Sequence, residues 1–140
     1  MSCVFCGIIA GTTPAAFVMQ DDDVIAFLDA RPLFKGHVLV VPRAHVVTLP
    51  ELPAALVPRF FAVVQRLARA VPEACGAQGS FIAMNNVVSQ SVPHLHAHGV
   101  PRKKGDGLKG FFWPRSKYAS DAERDAYAAK IGSVFGSATG

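Results

Sequence analysis

Three histidines alternate with small or apolar residues in the segment His94-Leu95-His96-Ala97-His98. Successive side chains of a β-strand point to opposite faces, so a strand here would place all three imidazoles on one face. Three imidazoles at this spacing are costly to bury without polar partners. The residues just before them, from Asn85 to Ser91, include neutral hydrogen-bonding groups that suit a phosphate or a ribose.

Two kinds of chemistry are open to these histidines. Alternating histidines on a strand can bind zinc. A neutral imidazole can instead act as a nucleophile in phosphoryl chemistry. A catalytic metal centre more often recruits a nearby carboxylate, and Glu73 is the one carboxylate between residues 52 and 105. Composition alone does not choose between the two.

A second group of candidate ligands is the pair Cys3-x-x-Cys6. A redox role would need a thioredoxin-like βαβ setting, which this N-terminus lacks. Two thiolates need two more ligands to complete a tetrahedral zinc site. The chain has three cysteines, which do not suit a framework of paired disulfides, so we expect reduced thiols and a cytoplasmic location.

The composition predicts one compact domain. The chain has 140 residues, of which 51% are hydrophobic and 17% charged, so intrinsic disorder is not expected. No apolar run approaches the ~18–20 residues of a membrane span, and no basic segment precedes the short apolar N-terminal stretch, so neither a membrane anchor nor a secretory signal is predicted.

The net charge of +4 comes from one segment, residues 102–117. It holds one acidic residue, Asp106, and six of the 14 basic residues: Arg102, Lys103, Lys104, Lys109, Arg115 and Lys117. Such a patch attracts phosphate without indicating whether that phosphate belongs to a nucleotide or to a polymer. A solvated loop is the alternative.

The order of elements indicates an antiparallel α+β fold. Strand-like runs occur at about residues 17–19, 24–29, 37–42, 80–85 and 94–100. The apolar spacing predicts a helix over residues 51–75, in which Pro58 would cause a kink or mark the true first turn. A short helix or turn is expected at 3–10, and a last helix from Ser120 with Tyr127, Ile131 and Phe135 as its apolar stripe.

These segments together resemble the histidine triad (HIT) family. The resemblance rests on SVPHLHAHGVPR at residues 91–102, on GHVLVVPRAH at 36–45, and on the N-terminal blocks CVFCGIIAG and DDDVIAFLDARP. It covers about residues 3–102. The later stretch KGDGLKGFFWPRSKY resembles a bacterial, mainly actinobacterial, branch of the family.

The resemblance implies a HIT-like fold, in which a five-stranded antiparallel sheet with two main helices extends across a homodimer. Residues 1–140 would form a single domain, with a core at about 3–102, a basic loop at 102–117 and a C-terminal helix at about 120–136. Family members bind purine nucleotides and cleave at the α-phosphate through a nucleotidyl-histidine intermediate. Dinucleoside polyphosphates and nucleoside phosphoramidates are both plausible substrates.

The resemblance also assigns roles to residues. His96 would be the nucleophile, and His98 and Ser91 would support the phosphate. The nucleotide would be bound by Val4, Phe5, Ile8, Phe27, Leu28, Asp29, His37, Asn85, Ser89 and Gln90. Bacterial relatives with CxxC imply a structural Zn²⁺ held by Cys3, Cys6, His45 and His94.

Two alternatives to this enzyme differ in what they require of the chain. A nucleotide-binding or partner-binding regulatory module with weak or vestigial hydrolysis is compatible with the same motifs. A nucleic-acid end-processing enzyme would need a DNA-binding extension, for which this chain has little room, so a nucleic-acid partner is not expected. Within the enzyme reading, Lys103, Lys104 and Lys109 would favour a long anionic substrate by meeting its distal phosphates.

Overall fold

The computed structural model describes residues 3–108 and 115–137. Its elements are the helices α1 (Val4–Ala10), α2 (Val57–Cys75) and α3 (Asp121–Ser137), and the strands β1 (Phe17–Gln20), β2 (Val24–Leu28), β3 (Val38–Pro42), β4 (Gly79–Ala83) and β5 (Ala97–Arg102). The predicted single domain over 1–140 stays a prediction. The contacts divide the chain into two compact units, Met1–Asp106 and Gly107–Gly140.

The five strands form one antiparallel sheet in the order β1-β2-β3-β5-β4, which confirms the predicted α+β sheet. Strand β2 contributes buried side chains to both faces of the sheet. Val24 and Ala26 face α2, whereas Ile25 and Phe27 pack on the opposite face with α1. The sheet is therefore covered on one face by a long helix and on the other by a short one.

Helix α2 covers the first face with residues spaced three and four apart. Phe60, Val63, Leu67 and Val71 are buried against the sheet. The predicted helix over 51–75 begins instead at Val57, because Pro58 occupies the first turn, where its missing N–H costs no hydrogen bond. Residues 49–51 and 54–56 form single 3₁₀ turns.

Two other sequence expectations need correction. Strand β5 begins at Ala97 rather than near residue 94, so His94 and His96 precede it. In α3, Tyr127, Ile131 and Phe135 are all exposed, and the helix buries none of its residues. The apolar spacing identified this helix correctly, but the stripe covers no core among the described residues.

Helix α1 is short, and it is held by caps at both ends. The Sγ atom of Cys3 accepts the N–H of Cys6 at 3.4 Å at the N-terminus. Gly11 ends the helix with φ 82°, a left-handed conformation that glycine adopts readily. Between the caps, Phe5 and Ile8 are buried on the sheet. This packing brings the CxxC pair to the sheet face that also carries the histidines.

Candidate active site

A cavity of about 840 Å³ opens beside α1. Apolar side chains line one part of it, and histidine, serine and aspartate side chains line another. The predicted site residues that the structure brings together here are Val4, Phe5, Ile8, Phe27, Leu28, Asp29, Ser91, His96 and His98. An apolar wall beside a small polar group is typical of sites that bind an aromatic ring with a charged substituent.

His96 is oriented by the residue two positions before it. Its Nδ1 lies 2.8 Å from the carbonyl oxygen of His94. Because a carbonyl only accepts hydrogen bonds, Nδ1 carries a proton, and Nε2 is the nitrogen that can hold a lone pair. No described residue donates a hydrogen bond to that Nε2. The ring is therefore held in the tautomer that a nucleophile requires.

A chain of hydrogen bonds fixes the tautomer of His98. The main-chain N–H of Leu33 donates to His37 Nδ1 at 3.1 Å. The proton of His37 is therefore on Nε2, which donates to His98 Nδ1 at 2.9 Å. His98 must then carry its own proton on Nε2. His98 is therefore a neutral hydrogen-bond donor at the cavity, and its ring centre lies 5.0 Å from that of His96.

The protonation states agree with these tautomers. Burial, together with the smaller effects of the nearby His96 and His37 rings, lowers the pKa of His98 from 6.5 to about 4, although Asp29 partly opposes the shift. Burial also lowers the pKa of His37, although Asp29, whose Oδ2 is 3.8 Å from His37 Nε2, partly opposes this. Both rings are neutral near pH 7, so His98 offers a hydrogen bond without a full positive charge.

Asp29, His37 and His98 also lie close enough together to be considered as metal ligands. The hydrogen bonds oppose that interpretation. Because His37 Nδ1 accepts the Leu33 N–H, its Nε2 is protonated and has no lone pair for a cation. Asp29 is held separately, since its Oδ1 accepts the Arg31 N–H at 2.8 Å. The hydrogen bonds of this group favour a hydrogen-bonded chain with defined donors and acceptors over a metal site.

The cysteines form a different cluster, with His45 and His94. The Sγ of Cys6 lies 3.2 Å from His45 Nδ1 and 3.6 Å from His94 Nδ1, and the two Nδ1 atoms are 3.1 Å apart. Cys3 Sγ is 3.5 Å from His94 Nδ1. Zinc bond lengths of about 2.3 Å to sulfur and 2.0–2.1 Å to nitrogen separate tetrahedral ligands by about 3.3–3.8 Å. These four distances are close to that spacing, and all four donor atoms lie within 4.8 Å of one another.

The second nitrogen of His94 supports metal binding by the first. His94 is fully buried, and its Nε2 lies 2.8 Å from the Pro42 carbonyl, so Nε2 carries the proton and Nδ1 presents its lone pair to the cluster. Burial and the neighbouring Cys3 thiol raise the pKa of Cys6. A bound cation reverses that effect by stabilising the thiolates. The donor set therefore fits a tetrahedral Zn²⁺.

Four of the predicted nucleotide-binding residues do not line the cavity. His37 is buried behind His98. Gln90 donates to the Val47 carbonyl at 2.6 Å, and the Asn85 side chain donates to the Ser89 carbonyl at 3.2 Å. Asn85 thus stabilises its own loop, in which Val87 and Ser89 adopt positive φ angles of 73° and 62°, and Gln90 connects this loop to the segment after β3.

The structure adds cavity residues that the sequence did not single out for binding. Thr13 and Arg31 contribute polar groups, and Pro14, Ala15, Ala16, Ala30, Leu39 and Val92 complete the wall. Arg31 could have been found from its position two residues after Asp29, whose carboxylate forms a turn with the Arg31 N–H. Thr13 had no comparable signal, because its place depends on how the chain leaves α1.

The basic segment is only partly described. Lys103 lines a separate cavity of about 330 Å³, together with Lys35 and Cys75. The main-chain N–H of Lys104 donates to Gln78 at 2.7 Å. Lys109 and the aromatic residues Phe111, Phe112 and Trp113 lie outside the described residues. Within residues 3–108 and 115–137, no helix is long and apolar enough to cross a membrane.

Comparison with known proteins gives a consistent result. A family model of the HIT domain matches residues 10–105. The curated protein named Adenosine 5'-monophosphoramidase hnt1, from Schizosaccharomyces pombe, is 31% identical over 116 residues, which are 81% of this chain and 84% of that protein.

Two solved structures resemble the whole fold. A HIT family member from Bacillus subtilis is 33% identical with a TM-score of 0.84, and the match covers 95% of this chain and 96% of that one. A protein described as a Zn-bound histidine triad family protein, from Mycobacterium smegmatis, is 39% identical with a TM-score of 0.73, covering 96% and 98%.

Proposed function

Because this chain belongs to the HIT family, we propose that it is a nucleotide-binding hydrolase or transferase that cleaves purine nucleotide conjugates at the α-phosphate. The observation that carries the proposal is the orientation of His96. Its Nδ1–H is held by the His94 carbonyl, so its Nε2 lone pair is available at the cavity. A nucleophile in this setting forms a nucleotidyl-histidine intermediate that water then hydrolyses.

The residues around His96 have separate tasks in this mechanism. His96 Nε2 attacks the α-phosphorus, the bond to the leaving group breaks, and phosphorus becomes bonded to nitrogen. His98 donates its Nε2–H to a phosphate oxygen, and the exposed Ser91 hydroxyl is a second donor at the same part of the cavity. Such donors stabilise charge on the oxygens of the transition state. Water then displaces the histidine and releases a nucleoside monophosphate.

The remaining cavity residues would bind the nucleoside. We assign the base to the apolar wall formed by Val4, Phe5, Ile8 and Phe27, and the ribose hydroxyls to Asp29. The Arg31 N–H fixes one carboxylate oxygen of Asp29, which leaves the other to accept a hydrogen bond. Leu28 lies beside Asp29 on the same rim. The name of the Schizosaccharomyces pombe relative favours a phosphoramidate over a dinucleoside polyphosphate as substrate.

The same proposal includes a structural zinc ion and a homodimer. Cys3, Cys6, His45 and His94 would hold zinc, which supplies a cross-link between α1 and the sheet and takes no part in the reaction. The zinc-bound relative from Mycobacterium smegmatis supports this assignment. For the dimer, strand β4 lies at an edge of the sheet, where a second copy could extend it. Light scattering after gel filtration measures the dimer directly.

The decisive experiment traps the intermediate. Wild-type protein is mixed with adenosine 5'-phosphoramidate or a dinucleoside tetraphosphate, quenched within one turnover, and weighed by intact mass spectrometry. We expect an adduct of one adenylyl group on His96 and release of AMP. The His96→Gln variant should form no adduct while keeping its zinc and its circular dichroism spectrum. Turnover without any adduct, or an adduct that persists in His96→Gln, would contradict the mechanism.

A further inference from the structure

The metal cluster and the proposed nucleophile share one aromatic neighbour, Phe5. Its ring lies edge-on to His96 with the ring centres 5.1 Å apart and an interplanar angle of 81°. It makes similar contacts with His94 at 6.0 Å and with Phe27 at 5.4 Å. Phe5 is buried, so its ring is packed on several sides. Edge-to-face contacts of this kind restrict how far either ring can rotate.

The position of Phe5 depends on the cysteines at either side of it. Phe5 lies between Cys3, which caps α1, and Cys6, whose N–H donates to the Cys3 sulfur. Helix α1 has seven residues, and isolated helices of that length are unstable in water. Its place on the sheet therefore relies on burial of Phe5 and Ile8 and on the ligands of the metal cluster. Movement of either cysteine must move the Phe5 ring.

Two connections run from the cluster to His96. The first is through the main chain, because the His94 carbonyl accepts the His96 Nδ1–H at 2.8 Å. The second is through the Phe5 ring. The His94 ring is also held by Pro42, independently of α1. Loss of the metal would therefore release α1 and Phe5 before it disturbed the His94 main chain.

We propose that Phe5 is a positioning residue that transmits the occupancy of the Cys3, Cys6, His45 and His94 cluster to the imidazole of His96. The inference rests on the proposed role of His96 as nucleophile. Phe5 acts on the reaction through the ring that it packs against, in addition to its contact with the base. A metal-bound cluster keeps Phe5 in place, and Phe5 then keeps the His96 ring in its Nδ1-protonated orientation.

The test measures the tautomer of His96 directly. Protein labelled with ¹⁵N-histidine is prepared with zinc bound and with zinc removed, and the ring nitrogens are observed by long-range ¹H–¹⁵N NMR, with His96→Gln used to assign the signals. Phe5→Leu is compared with Phe27→Leu, a matched variant at a buried pocket residue whose recorded ring contacts are with Phe5 and Phe17, not with a histidine. Zinc content is measured for each sample with a chromogenic chelator.

We expect zinc removal to mix the two tautomers of His96 in wild-type protein. Phe5→Leu should produce the same mixing with zinc still bound, and zinc removal should then add little. Phe27→Leu alters the base-binding wall but keeps the Phe5 ring beside His96, so the His96 tautomer should still depend on zinc in that variant. With substrate, Phe5→Leu should lower kcat by about tenfold beyond any change in Phe27→Leu, because small misplacements of a reacting group are costly.

Other outcomes separate the two proposals. Equal sensitivity of His96 to zinc in wild type and Phe5→Leu would overturn the role of Phe5 and leave the His94 main chain as the connection. If Phe5→Leu does not fold, Phe5→Met, which retains more apolar volume, is measured in the same way. A wild-type protein that shows the expected NMR changes but turns over no substrate would refute the proposed function alone.

Discussion

The five histidines of this chain form two groups that differ in what each second ring nitrogen contacts. In the cluster with Cys3 and Cys6, His45 and His94 direct their Nδ1 atoms toward the sulfurs, and the donor atoms lie within 4.8 Å of one another. In the second group, formed by His37, His96 and His98, the Nδ1 of His96 contacts a carbonyl oxygen and the Nδ1 of His98 contacts the His37 ring. Nε2 is then the remaining nitrogen of each ring, and both residues line the cavity.

This difference gives the histidines of one sequence motif different hydrogen-bonding roles, on which the two proposed chemistries depend. His94, His96 and His98 have the same spacing and the same residue type, yet the hydrogen bond at one nitrogen decides what the other can do. The Nε2–H of His94 donates to the Pro42 carbonyl, which leaves Nδ1 for the proposed zinc. The Nδ1–H of His96 donates to the main-chain carbonyl of His94, which leaves Nε2 for the proposed attack on phosphorus. Substitutions should therefore separate the two groups by their effects.

The largest expected effect is on turnover in His96→Gln. Loss of the nucleophile should lower kcat/KM by about four orders of magnitude or more, while the melting temperature and the zinc content stay close to those of wild type. Steady-state kinetics and metal analysis on the same preparation measure both. A variant within tenfold of wild-type kcat/KM, or one that loses its zinc, would break the division between the two groups.

The next largest effect is on stability in Cys6→Ser. Removing one ligand should release zinc and uncouple α1 from the sheet, which we expect to lower the melting temperature by about 10 °C, equivalent to about 3 kcal/mol for a chain of this size. Thermal unfolding with and without a chelator measures the effect in wild type and variant. Cys75→Ser is the matched control, because Cys75 lies outside the cluster. Equal chelator sensitivity in Cys6→Ser and wild type would refute the metal assignment.

Much of this division could be predicted from the sequence, but the hydrogen bonds behind it could not. Residue types and spacing identified the five strands, the CxxC pair and the triad. Pro58 was also identified as an alternative helix start, which the structure confirms. The tautomers depend on main-chain groups: the Pro42 carbonyl for His94, the His94 carbonyl for His96, and the Leu33 N–H, acting through His37, for His98. Contacts with main-chain groups leave no trace in residue type.

The strand start that needed correction, and three predicted binding residues that do not line the cavity, lie where the backbone departs from regular structure. His94 and His96 precede β5, yet the alternation of faces persists, since Leu95 and Ala97 pack with the α2 core. In the loop before them, Asn85 and Gln90 bond to main-chain groups of the loop, Gln90 also bonds to the Val47 carbonyl, and Val87 and Ser89 have positive φ. Because positive φ is uncommon for valine and serine, the sequence did not predict that turn.

A third prediction uses pH to test the neutral His98. Its pKa is about 4 in the folded chain and near the ordinary 6.5 when unfolded, so the unfolded chain binds the proton more readily. Stability should be unaffected by this group above pH 6.5 and should fall as the pH decreases toward 4, by up to about 2 kcal/mol at pH 5. Urea unfolding at pH 7.5 and pH 5 measures it.

The control for the pH experiment is His98→Gln, which does not titrate in this range. The difference in unfolding free energy between the two pH values should be smaller in this variant by up to about 2 kcal/mol. Loss of zinc at low pH affects both proteins and cancels in the comparison, provided that zinc content is measured at each pH. An identical pH dependence in the two proteins would mean that His98 is not held neutral by its surroundings.

The smallest expected effect concerns which cations meet the part of the substrate beyond the α-phosphate. The sequence favoured the lysines of residues 102–117, but Lys103 lines a separate cavity and the Lys104 main chain is bonded to Gln78. Among the described residues that line the cavity beside α1, Arg31 is the one that carries a permanent positive charge. Arg31 is exposed, so its contribution is reduced by solvent and should be modest.

We therefore expect Arg31→Gln to lower the ratio of kcat/KM for a dinucleoside tetraphosphate to that for adenosine 5'-phosphoramidate by about threefold, whereas Lys103→Gln/Lys104→Gln should leave the ratio within about twofold of wild type. The longer substrate carries more charge outside the α-phosphate position, and the effect should shrink as salt reduces the Debye length below about 8 Å. Both ratios are measured at two salt concentrations. A larger change in the lysine variant than in Arg31→Gln would mean that the basic segment, and not Arg31, contacts the distal phosphates.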